Sequence, residues 1–142
     1  MAVVVSTRSP SDSRYTLTLN ITPGSQDITN NRTTVDWSLV LSFSDTLTYG
    51  RHWSGSDISY SVTINGANVK SGKYTYDFRK YSTLTIASGS TTIAHNSDGS
   101  KTVSASCSAQ MYTPQVVKET ISGSGSLTLP TIPRASQPRL SA

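Results

Sequence analysis

Val35, Trp37, Leu39, Leu41 and Phe43 alternate one-for-one with Asp36, Ser38, Val40 and Ser42. On an extended chain successive side chains point to opposite faces, so this run fits a half-buried β-strand and no amphipathic helix. The same alternation recurs at Tyr15, Leu17, Leu19 and Ile21, at Ile58, Tyr60, Val62 and Ile64, and at Val103, Ala105, Cys107, Ala109 and Met111. No stretch carries helical periodicity. One core should therefore collect Leu17, Leu19, Val35, Trp37, Leu39, Leu41, Val62, Ile64, Val103, Ala105 and Cys107, with Trp37 as an anchor rather than a ligand platform.

Turn chemistry divides these runs. Pro23-Gly24 ends the first, Asn30-Asn31 marks a turn, and Asn65-Gly66 is a strong hairpin signal. Leu84 and Ile86 open a short strand that Ala87-Ser88-Gly89-Ser90 interrupts. Thr91 and Ile93 then lead into His95-Asn96-Ser97-Asp98-Gly99, and the Val103 run follows. Apolar alternation on both arms predicts a hairpin here, with Gly99 supplying a positive φ. Ser122-Gly123-Ser124-Gly125-Ser126 reads as a strand with small outward residues, or one closely approached by a neighbour. Roughly seven to nine strands, with turn signals every ~8–12 residues, predict an antiparallel β-sandwich of immunoglobulin or fibronectin type III kind. The expected organisation is an N-terminal extension over residues 1–13, the sandwich over 14–130, and a Pro-containing arm or linker over 131–142.

Composition narrows the function. Only 35% of the 142 residues are hydrophobic and 14% charged, while Ser and Thr together make up about a third. A sandwich built this way carries hydroxyls, not Lys and Glu, on its outward faces. The single cysteine, Cys107, allows no intrachain disulfide, which points to folding in a reducing compartment. Net charge is only +4, and the basic residues are scattered instead of forming the stripe a nucleic-acid binder needs. The apolar start MAVVV is too short for a signal peptide, and no run is long enough to span a bilayer. Neither nucleic acid nor membrane is an expected partner.

The His95 cluster is the strongest place to look for chemistry. A metal site needs several converging His, Cys or carboxylate ligands. The other histidine, His52, lies in a separate loop. Asn96, Asp98 and Gly99 resemble part of a calcium loop, but no acid follows at the required place. There is no Gly-x-Ser-x-Gly elbow, no facing pair of carboxylates, and no phosphate loop with its lysine. The expectation is a non-enzyme without metal or cofactor, in which His95, Asn96, Asp98 and Gly99 form a structural turn. A binding role falls instead to Tyr49, Arg51, His52 and Trp53, since aromatics on the loops of a rigid sandwich can stack on glycan or anchor a protein. Tyr74, Tyr76 and Tyr81 are weaker candidates, because tyrosine suits strands whatever the function.

Four stretches in this order, NNRTTVDWSLVLSF, YSVTINGANV, TTIAHNSDGSKTVSASCSA and SGSLTLPTIPRAS, resemble the sandwich module of siphovirus tail-associated structural proteins. Together they cover most of residues 30 to 136. The resemblance implies a bacteriophage virion protein, assembled in the host cytoplasm and located in the particle. It would contact other virion proteins and further copies of itself as a homo-oligomer. A minor tail or tail-appendage module is the leading expectation. Capsid decoration and a host-attachment adhesin for cell-wall carbohydrate are the alternatives. In that family the Ile-Pro-Arg segment often leads into further domains, so the chain is either a free-standing module or a piece of a longer tail protein. Its Ile132, Pro133 and Arg134 are expected to form an assembly arm that orders only against a neighbouring subunit.

Overall fold

A computed structural model of the chain describes residues 2–44, 54–113 and 117–134. These form eight strands: β1 (Ala2–Arg8), β2 (Tyr15–Asp27), β3 (Arg32–Phe43), β4 (Ser54–Ile64), β5 (Ala67–Asp77), β6 (Thr83–Ala94), β7 (Thr102–Tyr112) and β8 (Lys118–Thr128). They make two antiparallel four-stranded sheets, ordered β1-β2-β3-β6 and β5-β4-β7-β8, packed face to face as a sandwich. Alternation does the sorting. Leu17, Leu19, Ile21, Val35, Leu39 and Leu41 from one sheet meet Ile58, Val62, Ile64, Val103 and Met111 from the other, all buried. Trp37 and Cys107 join them, each only 4% exposed. At one end Tyr15, Phe43, Tyr76 and Phe78 pack ring against ring, with centroids 4.7 to 6.1 Å apart. Phe43 and Phe78 stack and the other pairs are tilted or edge-on, geometries that suit the aromatic quadrupole.

The turns obey their residues. Asn65 and Gly66 both take positive φ, 56° and 80°, the geometry of a tight hairpin between β4 and β5. Asn31 (φ 56°) closes the β2–β3 hairpin.

Four features depart from the sequence reading. The first is the His95 segment, which is not a hairpin. Thr91–Ala94 of β6 pair with β3, whereas β7 pairs with β4 and β8, so residues 95–101 arch from one sheet to the other. Ile93 and Val103 still face one core, but from opposite sides. Second, residues 2–8 are no extension. β1 pairs along β2 and buries Val5, and a register shift between Val3 and Val5 breaks the alternation that would have revealed it. Third, neither Pro23-Gly24 nor Ala87–Ser90 ends a strand. β2 runs on to Asp27 past a bulge, and β6 is continuous from Thr83 to Ala94.

The fourth departure is the C-terminal segment. Ile132 is fully buried, its N–H donates to the Gly99 carbonyl at 2.9 Å, and Arg134 Nη1 donates to the Ile28 carbonyl at 2.8 Å. Ile132, Pro133 and Arg134 therefore lie against their own sandwich and need no neighbouring subunit to be placed. An isolated Ile between two prolines has no periodicity to announce it, yet burying it removes a whole aliphatic side chain from water.

β8 answers the question raised by its glycines. Its inward positions Gly123 and Gly125 face β1 at the edge of the opposite sheet. A Cβ on Gly125 would stand 2.1 Å from the Val4 carbonyl oxygen, and one on Gly123 would stand 2.8 Å from Val5 Cγ1. The close approach seals this side of the sandwich. Ser122, Ser124 and Ser126 point out to water.

Candidate functional site

His95 sits where three segments meet: the β2–β3 turn, the β6–β7 arch and the chain after β8. The residue is 9% exposed, and both ring nitrogens are engaged. Nδ1 lies 2.7 Å from the Gly99 carbonyl oxygen, which can only accept, so Nδ1 carries the proton. Nε2 lies 2.7 Å from the hydroxyl of Thr33, itself buried on β3. The His95 N–H donates to the Asn31 carbonyl at 2.9 Å, and Asn31 Nδ2 returns a bond to the Asn96 carbonyl at 2.8 Å. Asp98 accepts from the Ser100 amide at 2.9 Å and from its hydroxyl at 2.6 Å, bonds that hold its carboxyl below the usual range. Asn96 contributes through its backbone, accepting from the Gly99 N–H at 2.8 Å. Gly99 (φ 88°) is buried, and a Cβ there would fall 2.0 Å from the Ile132 carbonyl oxygen.

This arrangement holds segments together. Among the described residues no carboxylate or nucleophilic side chain bonds the His95 ring, whose partners are the Thr33 hydroxyl and the Gly99 carbonyl. Cys107 is sealed in the core, where burial pushes its thiol up to about 11, the reverse of what a nucleophilic cysteine needs. Among the described residues no group of His, Cys, Asp and Glu is arranged to hold a metal ion.

Tyr49, Arg51, His52 and Trp53, the candidates for a glycan or partner contact, lie outside the described residues. The strand that follows them opens onto a cleft of about 450 Å³, lined by Ser54, Gly55, Ser56, Asp77, Arg79 and Tyr112. Arg79 grips Asp77 through two bonds, Nε to Oδ1 at 2.8 Å and Nη2 to Oδ2 at 2.9 Å. Those bonds hold the Asp77 carboxyl down at about 2. The Tyr112 ring lies over Gly55, and its N–H donates to Tyr76 Oη at 3.0 Å. Hydroxyls and an ion pair line the cleft beside the Tyr112 ring.

The outer faces are of another kind. Across β5, β4, β7 and β8 the register lines up Ser71, Ser61, Ser108 and Ser122, with Asn68, Thr63, Ser106 and Ser124 in the next row. The other sheet repeats the theme with Thr16 and Ser42, Asn20 and Ser38, and Thr34 and Thr92. Both faces are hydroxyl-bearing and carry few charges.

The family model described as "Siphovirus protein of unknown function (DUF859)" matches residues 4–142. The chain belongs to this siphovirus family. No curated protein and no solved structure matches it significantly. In this DUF859 chain two stretches that prompted the resemblance, HNSDGSK and LTLPTIPRAS, meet at the Gly99–Ile132 contact, which gives their joint presence a physical reason.

Of the weaker tyrosine candidates, Tyr74 and Tyr76 are core residues. Burial raises both phenols above their ordinary value, and the Tyr74 hydroxyl donates to the Gln110 carbonyl. Tyr81 is half exposed and accepts the Asp77 N–H at 2.8 Å. Sequence reasoning missed a clamp at the other edge. Glu119 on β8 accepts the Ser9 and Ser11 hydroxyls and the Ser11 amide, tying the β1–β2 loop to the second sheet. It missed the Asp77–Arg79 pair too. Its only signal was an Asp followed two residues later by Arg, just past an alternating Tyr-Thr-Tyr run.

Proposed function

We propose that this DUF859 chain is a non-enzymatic structural component of the siphovirus particle, a tail-associated module that works through protein–protein contacts and needs no metal or cofactor. Membership of a siphovirus family supports the phage origin. The observation that carries the non-enzymatic reading is the engagement of both His95 ring nitrogens in bonds that tie the arch to β3 and to the chain's end. We read the sandwich as immunoglobulin-like from its strand order: β2, β3 and β6 face β5, β4, β7 and β8, with the chain crossing between sheets after β3, β5 and β6. Hydroxyl-covered faces suit a module exposed on a particle. Locating the chain in an electron-microscopy map of the virion tests this. Density in the tail is expected, density on the capsid shell would make it a decoration protein, and absence from the particle would overturn the proposal.

A second reading, a carbohydrate-binding adhesin for host cell wall, is favoured by one observation, the cleft beside Tyr112. The Ser54 and Ser56 hydroxyls and the Asp77–Arg79 pair supply donors and acceptors that a sugar's hydroxyls can bond. The expected result under this reading is binding to isolated cell walls that Tyr112→Ala and Arg79→Ala abolish. Binding that persists in both variants, or no binding by the unaltered chain, removes it.

A further inference from the structure

Six asparagines occur in the chain, all of them among the described residues. In five of them, Asn20, Asn30, Asn31, Asn68 and Asn96, Nδ2 donates to a partner at 2.8 to 3.4 Å. Asn65 is the exception. It stands exposed at the tip of the β4–β5 hairpin, and among the described residues nothing bonds its side-chain amide. Main chain alone holds it, through an N–H that donates to the Ser104 carbonyl at 2.7 Å. It is also the one asparagine that a glycine follows. Gly66 has no Cβ to shield its nitrogen, and nothing lies within 4 Å of the place where one would stand. Among the described residues no acceptor takes its N–H.

We propose that Asn65 is a site of spontaneous covalent modification, at which the folded chain loses ammonia and the residue becomes aspartate or isoaspartate. The Gly66 nitrogen, having given its proton to solvent hydroxide, attacks Asn65 Cγ. The N–Cγ bond forms, the Cγ–Nδ2 bond breaks, and Nδ2 takes a proton from water and leaves as ammonia. The product is a five-membered succinimide. Water then opens one of the two C–N bonds of that ring. Opening at Cγ gives aspartate, and opening at the main-chain carbonyl gives isoaspartate, whose chain runs on through Cβ and Cγ. A turn with positive φ at both residues holds the reacting atoms apart, so the hairpin tip opens before the attack. Its surroundings favour that opening. β5 is an edge strand, exposed at Ala67, Asn68 and 70–73, and the register shifts close by, between Val62 and Thr63. Asp98-Gly99 is the chain's own comparison, and it should not react. There the Gly99 N–H is bonded to the Asn96 carbonyl, the Ile132 carbonyl covers the glycine, and Ser100 holds the Asp98 carboxylate.

Either product places a carboxylate at the tip, and isoaspartate also adds a methylene to a two-residue turn. The Ile64–Ala67 pairing that this turn closes must then loosen. The site belongs to the folded chain itself and does not rest on any place in the particle. The full purified chain, kept in warm, mildly alkaline buffer, is followed by isoelectric focusing and by peptide mapping that separates aspartate from isoaspartate. One acidic species should accumulate, faster as hydroxide rises, with both products at position 65. Conversion there should be about tenfold or more faster than at any of the other five asparagines. Asn65→Gly keeps a residue that accepts positive φ, so it should melt with the unaltered chain yet form no such species. Asn65→Asp should focus with the aged species from the start. The proposal is overturned by a folded chain that forms no acidic species, by another asparagine that converts as fast, or by conversion at Asp98-Gly99 that matches it. It also fails if Asn65→Gly acquires the acidic species at the unaltered rate.

Discussion

At the residue scale, Gly99 and His95 separate conformational necessity from bonding. Gly99 holds φ at 88° with the Ile132 carbonyl pressed against the place a Cβ would occupy. Gly99→Ala therefore meets backbone strain and a collision with main chain that cannot rotate away, and should cost about 2–5 kcal/mol. His95→Ala removes two hydrogen bonds and strands the buried Thr33 hydroxyl. The Gly99 carbonyl keeps its bond from Ile132, so the loss should be smaller, about 1–3 kcal/mol. Urea unfolding of both variants checks the order, and a His95→Ala loss larger than the Gly99→Ala loss would refute this account. That 95–99 is a turn was legible, because Asn, Asp and Gly favour turns wherever they meet. That it is an arch was not. Alternation on either side says only that both arms bury one face, and it is silent on whether they pair with each other or lie in opposite sheets.

At the scale of elements, the closure of β1 and β2 onto β8 depends on ionisation. Burial acts to raise the Glu119 carboxyl, but the hydrogen bonds from Ser11 and Ser9 outweigh it and hold the group below its ordinary value. A carboxyl lowered by folding stabilises above its unfolded value, near 4.5, and that stabilisation is lost as pH falls through the folded value. The melting temperature should thus be level from pH 7 down to about 5 and fall below that. Glu119→Gln should start lower and decline less steeply in acid. Parallel acid limbs in both proteins would show that the clamp contributes nothing to the pH dependence. Asp27, Asp57, Asp77 and Asp98 are lowered as well and act in the same direction, so some acid sensitivity will survive the substitution. Removing residues 2–8 should be harsher. It uncovers the β2 edge and empties the space above Gly123 and Gly125, leaving a protein that unfolds at a markedly lower temperature. Unchanged melting would restore the reading of this segment as an extension. β1 hid because its bulge breaks period two just where Val3, Val4 and Val5 follow one another. β3 and β7 declared themselves because their burial alternates without a break.

At the scale of the whole molecule, the question is where the sandwich ends. Three prolines and no periodicity after Leu129 suggested a segment outside the core, and the last eight residues lie beyond those described. Yet Leu129 and Ile132 are both buried, Gln26 Nε2 donates to the Pro130 carbonyl at 3.2 Å, and Arg134 reaches the Ile28 carbonyl. Thr131–Arg134 act as a strap that joins the β2–β3 turn to the β6–β7 arch, two places that share no strand pairing with β8. Proline suits this because a strap needs fixed φ and few donors, and the one donor that matters is the Ile132 N–H. Two truncations separate strap from tail. A chain ending at Arg134 should unfold at the same denaturant concentration as the complete chain. A chain ending at Pro130 loses the Ile132 side chain, whose burial is worth about 1.5–3 kcal/mol, and leaves the Gly99 carbonyl only its bond from His95 Nδ1. It should be destabilised by about that amount or more, with amide-exchange protection lost first in the arch at Ser100 and in the turn at Asn31. If the chain ending at Pro130 matched the complete one, Ile132 would be resting on the fold without supporting it, and an arm free to dock elsewhere would again be the better description.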